Sequence, residues 1–338
     1  MYTFCTYFDR HFLPRGLALY GSLLKRCPSF QLFILCMDTA CYDQLAKMNL
    51  PFAELISLAD FERHDDDLLL AKKNRSLVEY YFTCTPSLPL FLLNNFPSLK
   101  EIAYLDADLF FYADPQPLYD EIGDYSVALI PHRFPKELRF MEVRGIYNVG
   151  FIYFRRDKNG LGLLEWWRKE CLRWCYDRLE PGRFADQKYL DVVPDLFDGV
   201  KIIQHKGANL APWNTANYKI TQNHEGMWVD DQPLLFYHFH GLKRITRWLY
   251  DPNLMRYRVR PSNEIKQGIY QPYIETLSAL SSKVQADRSC DIFHVGVRYQ
   301  LENAHALKRL WTRLDQLAVL IRLILSRRFM LWLGGRIR

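Results

Sequence analysis

An α/β protein built on a parallel sheet is the fold class this sequence predicts, and three observations predict it. Over the first 130 residues, short apolar runs alternate with amphipathic stretches in the order strand, helix, strand, helix. The runs that read as strands are apolar enough to be covered on both faces. Polar residues collect where those runs end, at Thr6–Arg10, Asp38 and Asp106–Asp108, the edge at which open parallel sheets bind ligands.

Taken in order, Tyr2–Tyr7 predicts the first strand. Pro14–Arg26 predicts a helix, with Leu17, Leu19, Tyr20, Leu23 and Leu24 near helical spacing. Gln31–Met37 is a second strand ending at Asp38, Asp43–Met48 a short helix and Glu54–Leu58 a third strand. Residues 74–95 form a long, mostly apolar helical zone that Pro86 and Pro89 are expected to break. Glu101–Leu105 is a buried strand running into Asp106. From Ser126 the pattern is mixed: strands at Ser126–Pro131 and Gly150–Phe154, a Trp-rich helix at Leu161–Leu179, then strands at Val200–Ile203 and Leu234–Phe239. Beyond Pro261 it becomes helical, near 266–283 and 304–330. A main domain over 1–262, in halves 1–130 and 131–262, is therefore expected to precede a helical, basic extension at 263–338.

Of the 338 residues, 49% are hydrophobic and 24% charged, the balance of a globular protein, and 15% are aromatic, enough to fill a core and line a cleft. The formal charge of +6 is carried by residues 301–338, where eight Lys and Arg face only Glu302 and Asp315. A neutral body with a basic tail argues against a nucleic-acid binder, which spreads positive charge over its working face. Within the tail Leu307, Leu310, Trp311, Leu314 and Leu317 follow helical spacing. A basic amphipathic helix of this kind suits an anionic membrane surface, and packing on the main domain or in a dimer is the alternative. The eight Cys contain no Cys-x-x-Cys, and Cys171 and Cys175 read as buried thiols. Asp9 and Arg10 interrupt the N-terminal segment where a signal peptide needs an apolar run, and no apolar run of about 18 residues predicts a spanning helix. A cytoplasmic protein with reduced thiols, peripheral at the inner face of the membrane, is expected.

The sharpest chemical signal is Ala103-Tyr104-Leu105-Asp106-Ala107-Asp108-Leu109-Phe110-Phe111. An apolar strand delivers two carboxylates separated by one residue, and an apolar run resumes at once. Anions this close at a sheet edge repel unless a cation neutralises them, and a hard divalent ion with oxygen ligands is the natural partner. A capping aspartate beside a solvated one is the plainer alternative.

This segment resembles the DxD motif of GT-A-type glycosyltransferases, and the wider pattern resembles glycosyltransferase family 8, in a divergent bacterial branch. The companion motifs stand in the family's order over residues 1–245. The resemblance implies a GT-A, Rossmann-like nucleotide-diphospho-sugar transferase fold. It implies a metal-dependent hexosyltransferase that uses Mn²⁺ or Mg²⁺ and moves a sugar from a UDP-sugar to a saccharide or glycolipid, with retention. Residues 1–130 would then be the nucleotide-binding half and 131–262 the sugar and acceptor half. Thr6, Tyr7 and Asp9 fall where the family holds uracil and ribose, and Asp38 joins this donor-binding set. Arg75, in Lys73-Asn74-Arg75-Ser76, matches a basic residue that reaches the diphosphate or sugar. Asn148, in Tyr147-Asn148-Val149-Gly150, would bind sugar hydroxyls, with Gly150 allowing close approach of the backbone. Asp186 and Gln187 match an Asp-Gln pair at the donor sugar, Gln187 near the anomeric carbon. Asn148, Asp186 and Gln187 thus form the catalytic set.

The third metal ligand of the family lies in a His-x-x-Gly pattern, which His238 fits; His240, two residues on, is the alternative. Lys243 follows as a phosphate contact, but the family's Lys-Pro-Trp ending is missing, which leaves that contact open. Trp213, in a loop with Asn209 and Asn214, either stacks on a sugar or packs in the core. Each motif also has a plain structural reading, as strand end, basic turn or helix cap. A lipid-linked saccharide, such as a lipopolysaccharide or capsule precursor, suits the basic tail as acceptor. Two other enzyme classes compete. A haloacid-dehalogenase-like phosphatase carries Asp-x-Asp on its first strand, and a sugar nucleotidyltransferase has a Gly-rich N-terminal loop; neither feature is present here.

Overall fold

The computed structural model describes residues 1–246, 248–283, 329–333 and 335–337. Strand β1 (Tyr2–Phe8) is almost wholly buried and leads into α1 (Leu13–Arg26). Helix α1 has Pro14 in its first turn, where no donor is needed, and Lys25 and Arg26 at its carbonyl end, where cations are favoured. Then come β2 (Phe30–Cys36), α2 (Thr39–Ala46), β3 (Ala53–Ser57), α3 (Leu58–Glu62) and α4 (Asp66–Lys73). Asp38, Ser57 and Asp65 cap the three helices by accepting backbone N–H groups.

Helix α5 (Leu77–Asn95) opens on a capping box made by Ser76 and Glu79. The breaks expected at Pro86 and Pro89 do not occur, and α5 is one helix of 19 residues. Each proline removes one intrahelical donor. Burial of most of the stretch from Thr83 to Leu93 offsets that loss, and the Thr83 and Ser87 hydroxyls donate to the carbonyls of Glu79 and Thr83.

The second half brings β4 (Glu101–Leu105), β5 (Leu109–Phe111), α6 (Gln116–Ile122), β6 (Val127–Pro131), β7 (Tyr147–Arg155), α7 (Lys158–Arg173), α8 (Val193–Leu196) and β8 (Val200–Ile202). The main sheet has seven strands in the order β3-β2-β1-β4-β7-β6-β8, and β7 alone runs against the rest. This is the α/β class expected from the sequence. Buried side chains from α1 and α2 pack on one face, among them Leu17, Leu23 and Leu45. Those from α5 and α7 pack on the other, among them Leu88, Leu92 and Trp167.

Beyond the sheet, β9 (Ile220–Asn223), β10 (Gly226–Val229) and β11 (Gln232–Pro233) form a meander. Strand β12 (Phe236–His238) pairs antiparallel with β5, placing His238 opposite Leu109. Then follow β13 (Lys243–Arg244), β14 (Leu249–Asp251), α9 (Gln271–Lys283), β15 (Met330–Leu333) and β16 (Arg336–Ile337). The helical segment expected near 266–283 is present, and strands at the end of the chain add to the helical extension expected there. Leu249 pairs with Leu331 and Tyr250 with Met330, so the end of the chain closes a four-stranded sheet, β13-β14-β15-β16. Met330 and Ile337 are buried there with Ile269 and Tyr273, and this burial gives the segment a strand's period in place of a helix's. The basic amphipathic stretch expected around 304–328 lies outside the described residues. Among the described residues no helix is long and apolar enough to cross a membrane.

Candidate metal centre

Strand β4 ends at Leu105, and the chain turns through Asp106–Asp108 before β5 begins. Backbone hydrogen bonds stitch this turn on both sides. The Asp106 N–H donates to Gly150 O of β7 at 2.9 Å, and the Phe239 N–H, just past β12, donates to Asp108 O at 3.0 Å. The β5–β12 pairing then carries the His238 ring over the two carboxylates. Its Nε2 lies 3.0 Å from Asp108 Oδ1 and 3.6 Å from Asp106 Oδ2. One ligand atom from each of the three residues falls within 4.8 Å of the others.

This donor set fits a hard or borderline divalent ion. Two bonds of about 2.1 Å at right angles separate ligand atoms by about 3 Å, the spacing observed between His238 and Asp108. His240 stays outside the cluster, with its ring 5.4 Å from Trp213 and 5.8 Å from His238. Electrostatics agree with a site short of positive charge. Burial raises the Asp106 carboxyl, as does the charge of Asp108, against the opposing pull of His238. Burial also acts to raise Asp108, but the charge and hydrogen bond of His238 outweigh it and hold that carboxyl down at about 2. Tyr104 adds a hydroxyl that donates to Asp106 Oδ1 at 2.9 Å.

The residues expected to bind the donor are found in different states. Thr6 is fully buried at the end of β1, and its hydroxyl has no hydrogen-bond partner. The Tyr7 hydroxyl meets that of Thr85 at 3.0 Å, and its ring packs 5.7 Å from Tyr104 and 6.0 Å from Tyr81. Asp9 is buried and accepts from the His11 and Phe12 N–H groups and from the Tyr81 hydroxyl. Asp38 caps α2 through Cys41 N–H and accepts from Arg10 N–H. Both carboxylates therefore also shape the loops after β1 and β2. Lys243 heads β13, opposite Asp251.

Arg75 is committed elsewhere. Its guanidinium donates to Leu172 O at the end of α7 at 3.1 Å and lies 4.1 Å above the Tyr176 ring. Asn148 is buried, and its carboxamide is taken up by protein partners. Asp186 is buried behind Ala185, whose φ of +47 is a left-handed value unfavourable for alanine. Burial raises the Asp186 carboxyl to about 7, with Asp106 adding to the effect. Gln187 donates to Arg144 O at 3.0 Å. Trp213 is buried, its edge set against His238 at 5.0 Å and His132 at 5.3 Å, so it packs the metal cluster from behind. His132 and Tyr104 escaped the sequence reading. Inspecting the strand end after Pro131, as was done for the earlier strands, would have found His132.

The sheet order, the single antiparallel strand β7 and the Asp-x-Asp turn at the carboxyl end of β4 define an α/β chain with a candidate metal site at the sheet's carboxyl edge. It belongs to the family of the Bacillus subtilis (strain 168) proteins YfnD and YfnF, both uncharacterized. It is 31% identical to YfnD over 287 residues, 84% of this chain and 91% of the relative. It is 36% identical to YfnF over 301 residues, 83% of this chain and 93% of the relative. No protein-family model matches the chain. The solved structure of the galactosyltransferase LgtC with donor and acceptor sugar analogs aligns at 15% identity and a TM-score of 0.48, over 78% of this chain and 98% of that one.

Proposed function

We propose that this protein is a metal-dependent glycosyltransferase that moves a hexose-type sugar from a UDP-sugar to a saccharide or lipid-linked saccharide. One observation carries the reading: Asp106, Asp108 and His238 converge at the carboxyl end of β4, where an α/β sheet receives a diphosphate. A Mn²⁺ or Mg²⁺ ion held there supplies positive charge against the departing nucleoside diphosphate. The protein's own groups do the rest. Asp106 and Asp108 provide the anionic ligands and His238 a neutral nitrogen. Thr6, Tyr7 and Asp9 border the nucleoside end of the cleft, with Asp38 behind them. Asp186 and Gln187 orient the donor sugar, and Lys243 adds charge at the phosphates. Attack from the leaving-group side gives retention, with no protein nucleophile required. The basic residues of 301–338 favour an acceptor at an anionic membrane surface on the cytoplasmic side.

The test is a panel of UDP-sugars incubated with the full chain and Mn²⁺, with and without EDTA, following UDP release. Slow hydrolysis of one donor that EDTA abolishes supports the reading. No release from any donor, or release indifferent to EDTA, refutes it.

A further inference from the structure

Behind His238 lies a buried chain of polar side chains: His132, Asn148 and Asn209 are 6%, 7% and 0% exposed. Each proton in it is dictated by a backbone group. The Gly150 N–H, which only donates, points at Asn148 Oδ1 from 3.0 Å. That atom is therefore the oxygen, and it also accepts from Asn209 Nδ2 at 3.0 Å. His238 Nδ1 lies 3.3 Å from the same oxygen, so Nδ1 carries a proton. The far end closes the same way. His132 Nδ1 lies 3.1 Å from Ile146 O, which only accepts, so His132 is protonated there. Its Nε2 is left as an acceptor, 3.4 Å from Asn148 Nδ2. Reversing the carboxamide would set donor against donor at Gly150 and acceptor against acceptor at His132. Asn214 ties the frame together, donating from one amide to His132 O and Asn209 O, both at 3.0 Å.

We propose that His132 and Asn209, acting through the Asn148 carboxamide, are positioning residues that fix the His238 proton on Nδ1 and so present Nε2 to the cation. The inference rests on the metal reading of the Asp106–Asp108–His238 site and adds the part that orders its only nitrogen ligand. The ring nitrogen that does not bind the metal governs which one does, and groups of this kind tune affinity strongly. The frame fixes the ring's rotation as well as its tautomer, because Asn148 Oδ1 is itself held by two other donors.

The first experiment uses the full chain with ¹⁵N-labelled histidine, metal-free and then with Mg²⁺. In the metal-free protein Nε2 faces the Asp108 carboxylate at 3.0 Å and donates to it, so the ring is expected to carry a proton on both nitrogens. Mg²⁺ is expected to displace the Nε2 proton and leave a neutral ring protonated on Nδ1. A Mg²⁺-bound ring protonated on Nε2 overturns the proposal, and this measurement needs no variant to fold. The second compares Mn²⁺ affinity in wild type, His132→Phe and His132→Gln. Phe keeps ring volume and loses the acceptor, whereas Gln offers an oxygen to Asn148 Nδ2. The expected result is about 10-fold weaker binding in His132→Phe and recovery in His132→Gln. Equal affinity in wild type and folded His132→Phe overturns the proposal. Wild type that binds neither Mn²⁺ nor Mg²⁺ overturns the metal reading itself, whereas a wild type that binds the ion with the His238 proton on Nε2 overturns only the positioning role.

Discussion

His238 Nε2 and Asp108 Oδ1 stand 3.0 Å apart because two short strands, β5 and β12, pair in a two-stranded sheet just beyond β4. Neither strand alone makes a site. Asp108 precedes the first residue of β5, and His238 is the last of β12, so antiparallel pairing brings these two ends together. Asp108→Asn keeps the volume and removes the charge. It is expected to lower metal-dependent donor hydrolysis by about 100-fold, or roughly 3 kcal/mol of transition-state stabilisation. Mn²⁺ titration should show a matching loss of affinity. An Asp108→Asn protein with wild-type turnover and metal binding would remove the cluster from the mechanism.

Gly150 is required by space. A Cβ there would sit 2.7 Å from both Asn148 Oδ1 and His238 Nδ1, and 2.8 Å from His238 Cε1. None of these atoms is the end of a flexible chain, since the frame pins all three. Gly150→Ala should therefore cost about 1–3 kcal/mol of stability as overpacking. It should also displace His238 and weaken Mn²⁺ binding. Urea unfolding and Mn²⁺ titration measure the two effects separately. Gly162, inside α7 with nothing within 4 Å of an added Cβ, serves as the control: Gly162→Ala should leave Mn²⁺ binding unchanged and raise stability by about 0.5–1 kcal/mol.

The parts of the site that were legible in the sequence are those carried by a few adjacent residues. The run Tyr104-Leu105-Asp106-Ala107-Asp108 announces a buried strand ending in two carboxylates, because strand burial and paired charge are local properties. The frame behind His238 was not legible. It joins His132 just past β6, Asn148 of β7, His238 of β12 and the loop around Asn209, and only tertiary pairing brings them together. The register of β6 against β7 shifts between Leu129 and Ile130, which sets Ile130 opposite Asn148. Such irregularities re-aim side chains beside functional sites and leave no periodic trace. The prolines of α5 and the strand at Met330–Leu333 failed for the same reason. Burial against distant residues overrode local preference in both.

Arg75 shows how a motif residue is drawn into structure. Its guanidinium holds Leu172 O, accepts the Tyr176 face and neighbours the capping box that starts α5. Removing it takes away one tie between the start of α5 and the end of α7. Arg75→Ala is expected to lower stability by about 2 kcal/mol, the scale of a lost charged hydrogen bond. Affinity for UDP should change less than about 3-fold, well under 1.4 kcal/mol. Thermal melting and UDP titration of the same preparation decide the matter. A large loss of UDP affinity with unchanged melting would return Arg75 to the diphosphate.

Asp186 supplies a pH signature that burial sets and the charge of Asp106 strengthens. Burial raises its carboxyl from 3.8 to about 7 in the folded protein. Between those values the native state keeps a proton that the unfolded chain has released. Stability therefore falls as pH rises from about 4 to about 7 and levels off above that, where both states are ionised. At about 1.4 kcal/mol for each pH unit between the two values, the full penalty is on the order of 4–5 kcal/mol. Asp186→Asn carries no such charge. In EDTA it should unfold at higher urea than wild type at pH 8, and the advantage should shrink steadily toward pH 4. A difference between the two proteins that stays constant from pH 4 to pH 8 would mean that Asp186 titrates as an ordinary carboxyl. On the role proposed for Asp186 at the donor sugar, the same substitution should also slow sugar transfer above about pH 7, where wild type carries the carboxylate.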